Sequence, residues 1–412
     1  MKEKIPTVLI VTVAFLITGN LIGAGILALP INTGLSGFIP SLVGMTIIGS
    51  AMFFTAIVLG NEASKERKAT FNYPSLYQKH LGNLGKWIAV LANLLILYGL
   101  LTAYLTGGAT IITTLFHLPV PAVVVMAVFF LIVTGLTVMD ISIVRKYNTL
   151  IMMILFLSFA IIVFQGEKYV VVSRFAYTDW AYLPAAAPII VTAFHFHNII
   201  PTICHDLKWN NAAIWKAMLL GMTMGFVMNA IWIQVGVGAL PLTGGAGSLL
   251  EAFKQNLPAT IPLSRIIQSH LFATGSMVFA LLAITTSYMA NGIGLMGFVD
   301  DLTENFFHKK SRILTIILAF LPPLTISVIY PNIFLKAIDI VGGVGIVILF
   351  GILPSIIVIR QSKSSRMRLL GMAMFTLFVL LLVLEIGQEC GLLQIHPSVE
   401  YWAPNIAVHG GN

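Results

Sequence analysis

The chain has 412 residues, a length that in water would imply about two or three domains, yet 58% of them are apolar, only 9% are charged, and the mean hydropathy is +0.96. Soluble domains carry about 25% charged residues, so a chain this poor in charge has no hydrated shell for its apolar bulk, and its solvent is lipid. Two cysteines exclude a disulfide scaffold and a Cys-rich zinc or iron–sulfur site, and the net charge of +8 lies in short clusters between apolar runs, not in the basic stripe of a nucleic-acid binder.

A bilayer core of about 30 Å takes about 20 apolar residues per helix. Uncharged runs of that size fall at 7–33, 38–61, 87–115, 119–139, 147–165, 184–205, 213–239, 270–297, 313–330, 334–359 and 369–390. The pattern predicts an all-α polytopic membrane protein of eleven spans. The first run follows Met-Lys-Glu-Lys but is too long for a signal peptide, and no small-residue cleavage site follows it. Lysine and arginine fall mainly in connections that alternate with the odd and even spans: residues 2–4, 65–68, 79–86, 145–146, 208–216, 309–312 and 360–368 on one side. The other side has only Lys168, Arg174, Lys254, Arg265 and Lys336, five of the 23. The positive-inside rule therefore places the N-terminus in the cytoplasm and the C-terminus outside. Cys204 and Cys390 come to opposite membrane faces and cannot pair. Two connections are long: the polar inner segment 62–86, with a helical stretch at 74–81 lying on the membrane surface, and the outer segment 240–269, long enough to serve as a lid or gate.

Two spans carry anomalies. In the first, Gly19-Asn20-Leu21-Ile22-Gly23-Ala24-Gly25 sets three glycines and an amide at mid-membrane ahead of Pro30. Glycine stripes serve close packing, and Gly19 with Gly23 fits such a stripe, but Gly25 and Asn20 fall off that face. The sixth has Phe194-His195-Phe196-His197-Asn198 followed by Pro201. Two histidines and an asparagine in hydrocarbon are costly unless they face a cavity or a partner, and the proline frees a carbonyl. If the spans form two repeats, about 7–165 and about 184–359, with 369–390 as an extra helix, these anomalies occupy equivalent places. Paired interruptions of that kind point to a transporter's substrate site. Unwinding at residues 23–25 exposes N–H groups and the positive end of a helix dipole, which suit a carboxylate. The carbonyls left at residues 19–22 suit an ammonium group or a cation. A ligand with both charges a few ångströms apart is an α-amino acid.

At these residues the chain resembles the bacterial hydroxy and aromatic amino acid permeases, the tyrosine and tryptophan carriers of the amino acid-polyamine-organocation superfamily. The resemblance rests on IGAGILALP at 22–30, YGLLTAYLTGGA at 98–109, FHFHNIIP at 194–201, TTSYMANGIGLMGFVDDL at 285–302 and FLPPLTISVIYP at 320–331. It implies eleven helices in a 5+5 inverted-repeat, leucine-transporter-like fold with helices 1 and 6 discontinuous, and proton-driven uptake of an aromatic amino acid, tyrosine foremost, at the bacterial inner membrane. It implies no cofactor beyond the co-transported ion, no nucleic acid and no obligate protein partner. Three departures bear on mechanism. The family's FGFH on helix 6 is FHFH here, so His197 carries over and His195 is extra. The lysine that superfamily relatives carry in helix 5 is missing, its place taken by Leu150-Ile151-Met152-Met153. GNLIGAG at 19–25 resembles the GNxxGxG of sodium-coupled symporters of the same fold, in which sodium sits between helix 1 carbonyls, here Gly19 and Ile22, and an A-x-x-T-S pattern on helix 8, here Ala283, Thr286 and Ser287. The methionine leaves that space free for a cation, so coupling to Na+ and to H+ both stand, a proton riding on His195 or His197.

The expected substrate site comprises Asn20, Gly23, Ala24, Gly25, Phe194, His195, Phe196, His197, Asn198 and, on helix 3, Tyr98, with Phe194 and Phe196 forming an apolar slot and His197 or Asn198 bonding a phenol or indole. Asp339 is expected to pair with Lys336 or relay protons. Glu385 and Glu389, one turn apart on helix 11, are expected in a structural or oligomer-facing role, and Asp300, Asp301 and Glu304 in a solvated inner loop. Two other readings remain: a carrier for another neutral amino acid, and a membrane-embedded enzyme using His195 and His197, whose side chains on a regular helix would point about 200° apart.

Overall fold

The computed structural model describes residues 5–67, 72–116, 119–139, 141–307 and 311–398, with the side chains of Ala24, 141–149 and 305–307 excluded. Every regular element among them is helical. The first apolar run forms α1 (Thr7–Leu21) and α2 (Ala24–Gly34), bent by 56°. The break falls at Ile22 and Gly23, one residue earlier than the glycine spacing suggests, and Gly25 lies inside α2. α3 (Phe38–Glu66) leaves a Gly37 turn with φ 97°, where a Cβ would lie 2.2 Å from the Tyr177 carbonyl oxygen.

α4 spans Tyr73–Leu115. Its start is set by Asn72, whose side chain accepts from the Ser75 N–H at 2.8 Å, and by Pro74 in the first turn. The surface helix expected at 74–81 is its first section, joined to the span by a kink at Gly82, where φ is 74°. α5 (Ala122–Val138) and α6 (Ile141–Gly166) follow.

The sixth span is also broken. α7 (Leu183–Ala193) ends at Phe194, residues 194–196 are non-helical, a 3-10 turn covers His197–Ile199, and α8 (Ile200–Asp206) restarts with Pro201 in its first turn. α9 (Asn211–Ala239) is capped by Asn210. The segment 240–269 folds into α10 (Leu249–Lys254) and α11 (Thr260–Ile267). It is pinned to the first span where the Ala259 N–H donates to the Leu27 carbonyl at 2.8 Å. α12 (His270–Phe307) and α13 (Arg312–Ile329) precede a composite tenth span, in which α14 (Phe334–Ile340) runs into a π-helical stretch, Val341–Ile352, and on into α15 (Leu353–Gln361). α16 (Ser365–Glu389) ends the described helices.

Nine described helices are long and apolar enough to cross a membrane, ten if α1 and α2 count as one span; α5, at 17 residues, is shorter. Small residues set the packing, because lipid gives apolar side chains no reason to leave it and close backbone approach must supply the attraction. Gly221 and Gly225 of α9, one turn apart, face Ile17 and Leu21 of α1, where an added Cβ would lie 2.7 and 2.4 Å from their side chains. At Gly342 a Cβ would come 2.0 Å from the Pro188 carbonyl oxygen, so the π-helical stretch and α7 touch backbone to backbone. The most enclosed spans are the broken sixth, 78% buried over its apolar window, and the tenth at 72%, against 22% for α16.

Candidate functional site

The two broken spans meet at their breaks. A Cβ on Gly25 would lie 2.9 Å from Ala193 Cα and 3.1 Å from Ala193 N, so the start of α2 presses against the last residue of α7. Gly25 thus lets two spans cross, a role distinct from the ligand approach expected of it. The Ile22 N–H still bonds the Thr18 carbonyl at 3.1 Å. Beyond it, Gly23, Ala24 and Gly25 have N–H groups without intrahelical acceptors, and Gly19, Asn20 and Leu21 have carbonyls without intrahelical donors. Asn20 is half-buried; the side chain of Ala24 lies outside the described residues.

Across from this break stands α12. A Cβ on Gly23 would lie 3.0 Å from Ser287 Oγ. The Ser287 carbonyl accepts from Asn291 Nδ2 at 2.9 Å, and the same amide donates to the Tyr104 hydroxyl at 3.3 Å. The Thr286 hydroxyl is 2.7 Å from the Leu282 carbonyl and 3.3 Å from that of Ala283. Gly19 is not open: Met152 lies in its groove, with Sδ 2.9 Å from where a Cβ would stand. The methionine at the place of the missing lysine packs its side chain on Gly19.

The sixth-span break turns its side chains in different directions, because extended and 3-10 backbone lacks the helical period. His195 and His197, which a helix would splay apart, lie parallel with ring centroids 5.8 Å apart and planes 2° off. Both pack on Phe350 of the π-helical stretch at 5.0 Å, and Tyr73 meets the same ring edge-on at 5.0 Å. The Tyr73 hydroxyl donates to the His197 carbonyl. The Thr55 hydroxyl donates to the Met52 carbonyl at 3.0 Å and so accepts from His197 Nε2 at 3.1 Å, which assigns the ring proton to Nε2. His197 Nδ1, His195 Nε2 and Asn198 Oδ1 are buried without a hydrogen-bond partner.

A cavity of about 190 Å³ opens beside this break. It is lined by His195, Asn198, Pro201, Phe350 and Asn291 and opens at Asn72 and Asp301, which are exposed. Of the expected ligand residues only His195 and Asn198 line it. Phe194 points elsewhere, against Gly49 and, at 6.1 Å, Phe226, and Phe196 is fully buried against His197 at 5.3 Å. The Tyr98 hydroxyl donates to the Leu318 carbonyl of α13 at 2.7 Å, so Tyr98 is a packing residue. The aromatic residues that line the cavity are Tyr73, Phe298 and Phe350, not Phe194 or Phe196. A larger hollow of about 890 Å³ lies at the ends of α3 and α15, lined by Glu62, Lys65, Arg67 and Lys208, and touches neither break.

Sequence reasoning passed over Asn93 and Asn291, which line the cavity. Each is an amide within an apolar run, the signal that singled out Asn20. Tyr73 was hidden in the polar connection 62–86, and Phe350 by the uniformly apolar tenth span. Asp301 is at the cavity mouth, and Asp300 accepts from the Thr315 hydroxyl; the solvated loop expected around them is helical as far as Phe307. Glu385, expected on an outward or oligomer-facing helix, turns inward and is 1% exposed. Lys336 pairs with Glu389 and not with Asp339. Cys204 is buried and Cys390 exposed, both as free thiols.

The sequence aligns with known transport proteins over most of its length. It is 26% identical to the tyrosine-specific transport system 1 of Haemophilus influenzae, covering 79% of this chain and 82% of that one. It is 25% identical to the tryptophan-specific transport protein of the same organism over 89% and 90%, and 24% identical to the low affinity tryptophan permease of Escherichia coli K12 over 84% and 86%. In fold it is similar to the manganese transporter of Eremococcus coleocola in complex with an aromatic bis-isothiourea substituted compound, with a TM-score of 0.63 at 14% identity over 99% of this chain and 94% of that one. The sequence pattern of the tryptophan/tyrosine permease family matches residues 7–388, and the chain therefore belongs to that family, as a permease and not an enzyme.

Proposed function

We propose that this permease is a secondary active symporter that imports aromatic amino acids, tyrosine foremost with tryptophan and phenylalanine as competitors, by alternating access. The observation that carries the reading is the meeting of the two interrupted spans, with a cavity lined by His195 and Asn198 beside the second of them. The substrate carboxylate is taken by the N–H groups of Gly23, Ala24 and Gly25, and the ammonium by the carbonyls of Gly19, Asn20 and Leu21. The ring lies against Phe350 and Tyr73, with Asn198, His195 or Asn291 bonding the phenol or indole. Stacking and burial of the ring contribute about 1–3 kcal/mol. The relatives named for tyrosine and tryptophan transport support this substrate class.

The architecture that fits is two inverted repeats, about 7–165 and 184–359, with α16 added, the N-terminus cytoplasmic and the C-terminus outside, in the bacterial inner membrane. On that orientation the cavity mouth at Asn72 and Asp301 faces inward while the segment 240–269 seals the outer side, so the chain is in an inward-facing state. The coupling ion is the proton. Met152 in the groove of Gly19 opposes the alternative, sodium held by Gly19, Ile22, Ala283, Thr286 and Ser287. Uptake of labelled tyrosine into proteoliposomes, with proton and sodium gradients imposed separately, tests the whole reading. Tryptophan and phenylalanine compete while alanine and lysine do not. Equal competition by small aliphatic amino acids would point to a general neutral carrier.

A further inference from the structure

Away from the breaks, three carboxylates gather where the tenth span meets α16. Asp339 ends the α-helical part of that span, and Glu385 and Glu389 are one turn apart on α16. One oxygen from each lies within 4.8 Å of the others. Lys336 pairs with Glu389 and, among the described residues, is the one ammonium beside all three carboxylates. Glu385 is 1% exposed and lies in a notch over Gly343, where an added Cβ would stand 2.5 Å from its Cγ. Asp339 Oδ1 and Glu385 Oε1 are both buried with no hydrogen-bond partner.

Adjacent carboxylates in a membrane interior cannot both hold a charge. A carboxylic acid is a donor where a carboxylate is only an acceptor. We propose that the Asp339–Glu385 pair holds one bound proton, forming a proton-binding site at the seam between the tenth span and α16. The groups facing it are Lys336 on α14, Glu385 and Glu389 on α16, and Tyr182 ahead of α7, whose hydroxyl burial holds neutral by pushing its pKa up. α2 and α7 contain no ionisable residue. On α4, Tyr98 is bonded to Leu318 and Tyr104 to Asn291, while Tyr77 and His80 near its start reach Leu349 and Gln361.

The site adjoins the transport path through one residue. The Ile338 carbonyl, next to Asp339, accepts from the Thr192 hydroxyl of α7 at 3.1 Å, two residues before the sixth-span break. Releasing the proton sets two like charges against each other and drives α16 from the tenth span, whose position fixes α7 and Phe350. That coupling role rests on the transport reading; the proton itself does not.

Infrared spectra of the purified protein in lipid, titrated through neutral pH, test the site independently of transport. A protonated carboxyl band present at pH 7 is expected, and it should vanish in both Asp339→Asn and Glu385→Gln. In proteoliposomes both variants should lose accumulation driven by a proton gradient while keeping tracer exchange at equilibrium, which requires no net proton movement. A band that survives in both variants overturns the proposal. Undiminished gradient-driven accumulation in both overturns the coupling part of it. Manganese bound by the wild type and lost in Glu385→Gln would make the cluster a metal site and overturn it equally. Should the wild type exchange no aromatic amino acid, the transport reading fails while the infrared titration still decides the proton site.

Discussion

The two broken spans reach the same end by opposite means. The first is interrupted over two residues, Ile22 and Gly23, and what it presents is backbone: N–H groups on one side, carbonyls on the other, with small residues admitting a neighbour. The sixth is interrupted over 194–196 and continues as a 3-10 turn, and it presents side chains, two stacked imidazoles and an amide against Phe350. A backbone site recognises what every amino acid shares, its carboxylate and ammonium. A side-chain site is where one ring can be told from another. Substitutions at the first break should therefore abolish transport of every substrate alike, and those at the second should change which substrate is preferred.

The largest effect is expected of Gly25→Val. Its side chain meets the backbone of Ala193, which cannot move aside as a flexible side chain can, and overpacking of this kind costs about 1–3 kcal/mol. Uptake of tyrosine, tryptophan and phenylalanine should all disappear, and the thermal unfolding midpoint of the detergent-solubilised protein should fall with them. Gly23→Ala separates ligand approach from packing, since the one tight contact of its methyl is the Ser287 hydroxyl at 3.0 Å. It should reduce uptake of all three with the unfolding midpoint unchanged. Normal uptake by Gly25→Val would break the assignment of the first break.

Phe350→Ala comes next. The ring contacts His195, His197 and Tyr73, and removing a buried phenylalanine costs about 3–5 kcal/mol. Phe350→Leu keeps most of the volume and loses the aromatic face, so its effect should appear in competition. Phenylalanine and tyrosine should lose their advantage over leucine, whereas Phe194→Leu, at a ring packed on Gly49 and Phe226, should leave the order of substrates intact. Reversal of those two outcomes would return the slot to Phe194.

What was legible in the sequence follows the same division. The breaks could be read because glycine, proline and polar residues are out of place in an apolar run, and no tertiary information is needed to see that. Where each side chain of the second break points could not be read, because residues 194–199 leave the helical period, and only the packing of the tenth span decides that His195 faces the cavity while Phe194 does not. Tyr98 stood in the right helix on the wrong face. Glu385 illustrates the opposite error: an outer helix with 22% of its apolar window buried still turns one carboxyl fully inward, because Gly343 on a different span makes room for it.

Thr55→Val should have a smaller effect. It removes one of the partners of the buried His197 Nε2–H, at a cost of about 1–3 kcal/mol. Since Tyr73 and Phe350 still hold the ring and its backbone, the expected result is a lowered unfolding midpoint and a raised KM for tyrosine, with maximal uptake rate retained. Thr55→Ser, which restores the hydroxyl, should recover both. A Thr55→Val variant with unaltered KM would show that the orientation of His197 has no part in recognition.

Thr286→Ala is expected to do least, and for that reason it discriminates best between the coupling ions. The hydroxyl is 2.7 Å from the Leu282 carbonyl of its own helix, a bond whose loss costs about 0.5–1.5 kcal/mol at most and leaves no partner stranded, since that carbonyl keeps its helical donor. If Met152 closes the groove of Gly19 and protons drive transport, Thr286→Ala should accumulate tyrosine as the wild type does, whether or not sodium is present. A sodium ion held between the first span and α12 would behave otherwise. It would lose one of its few oxygen ligands, and half-maximal uptake in Thr286→Ala would move to higher external sodium at fixed membrane potential. Met152→Ala opens the space on Gly19 without touching Thr286, so sodium dependence appearing only in that variant would mean that the methionine is what keeps the cation out.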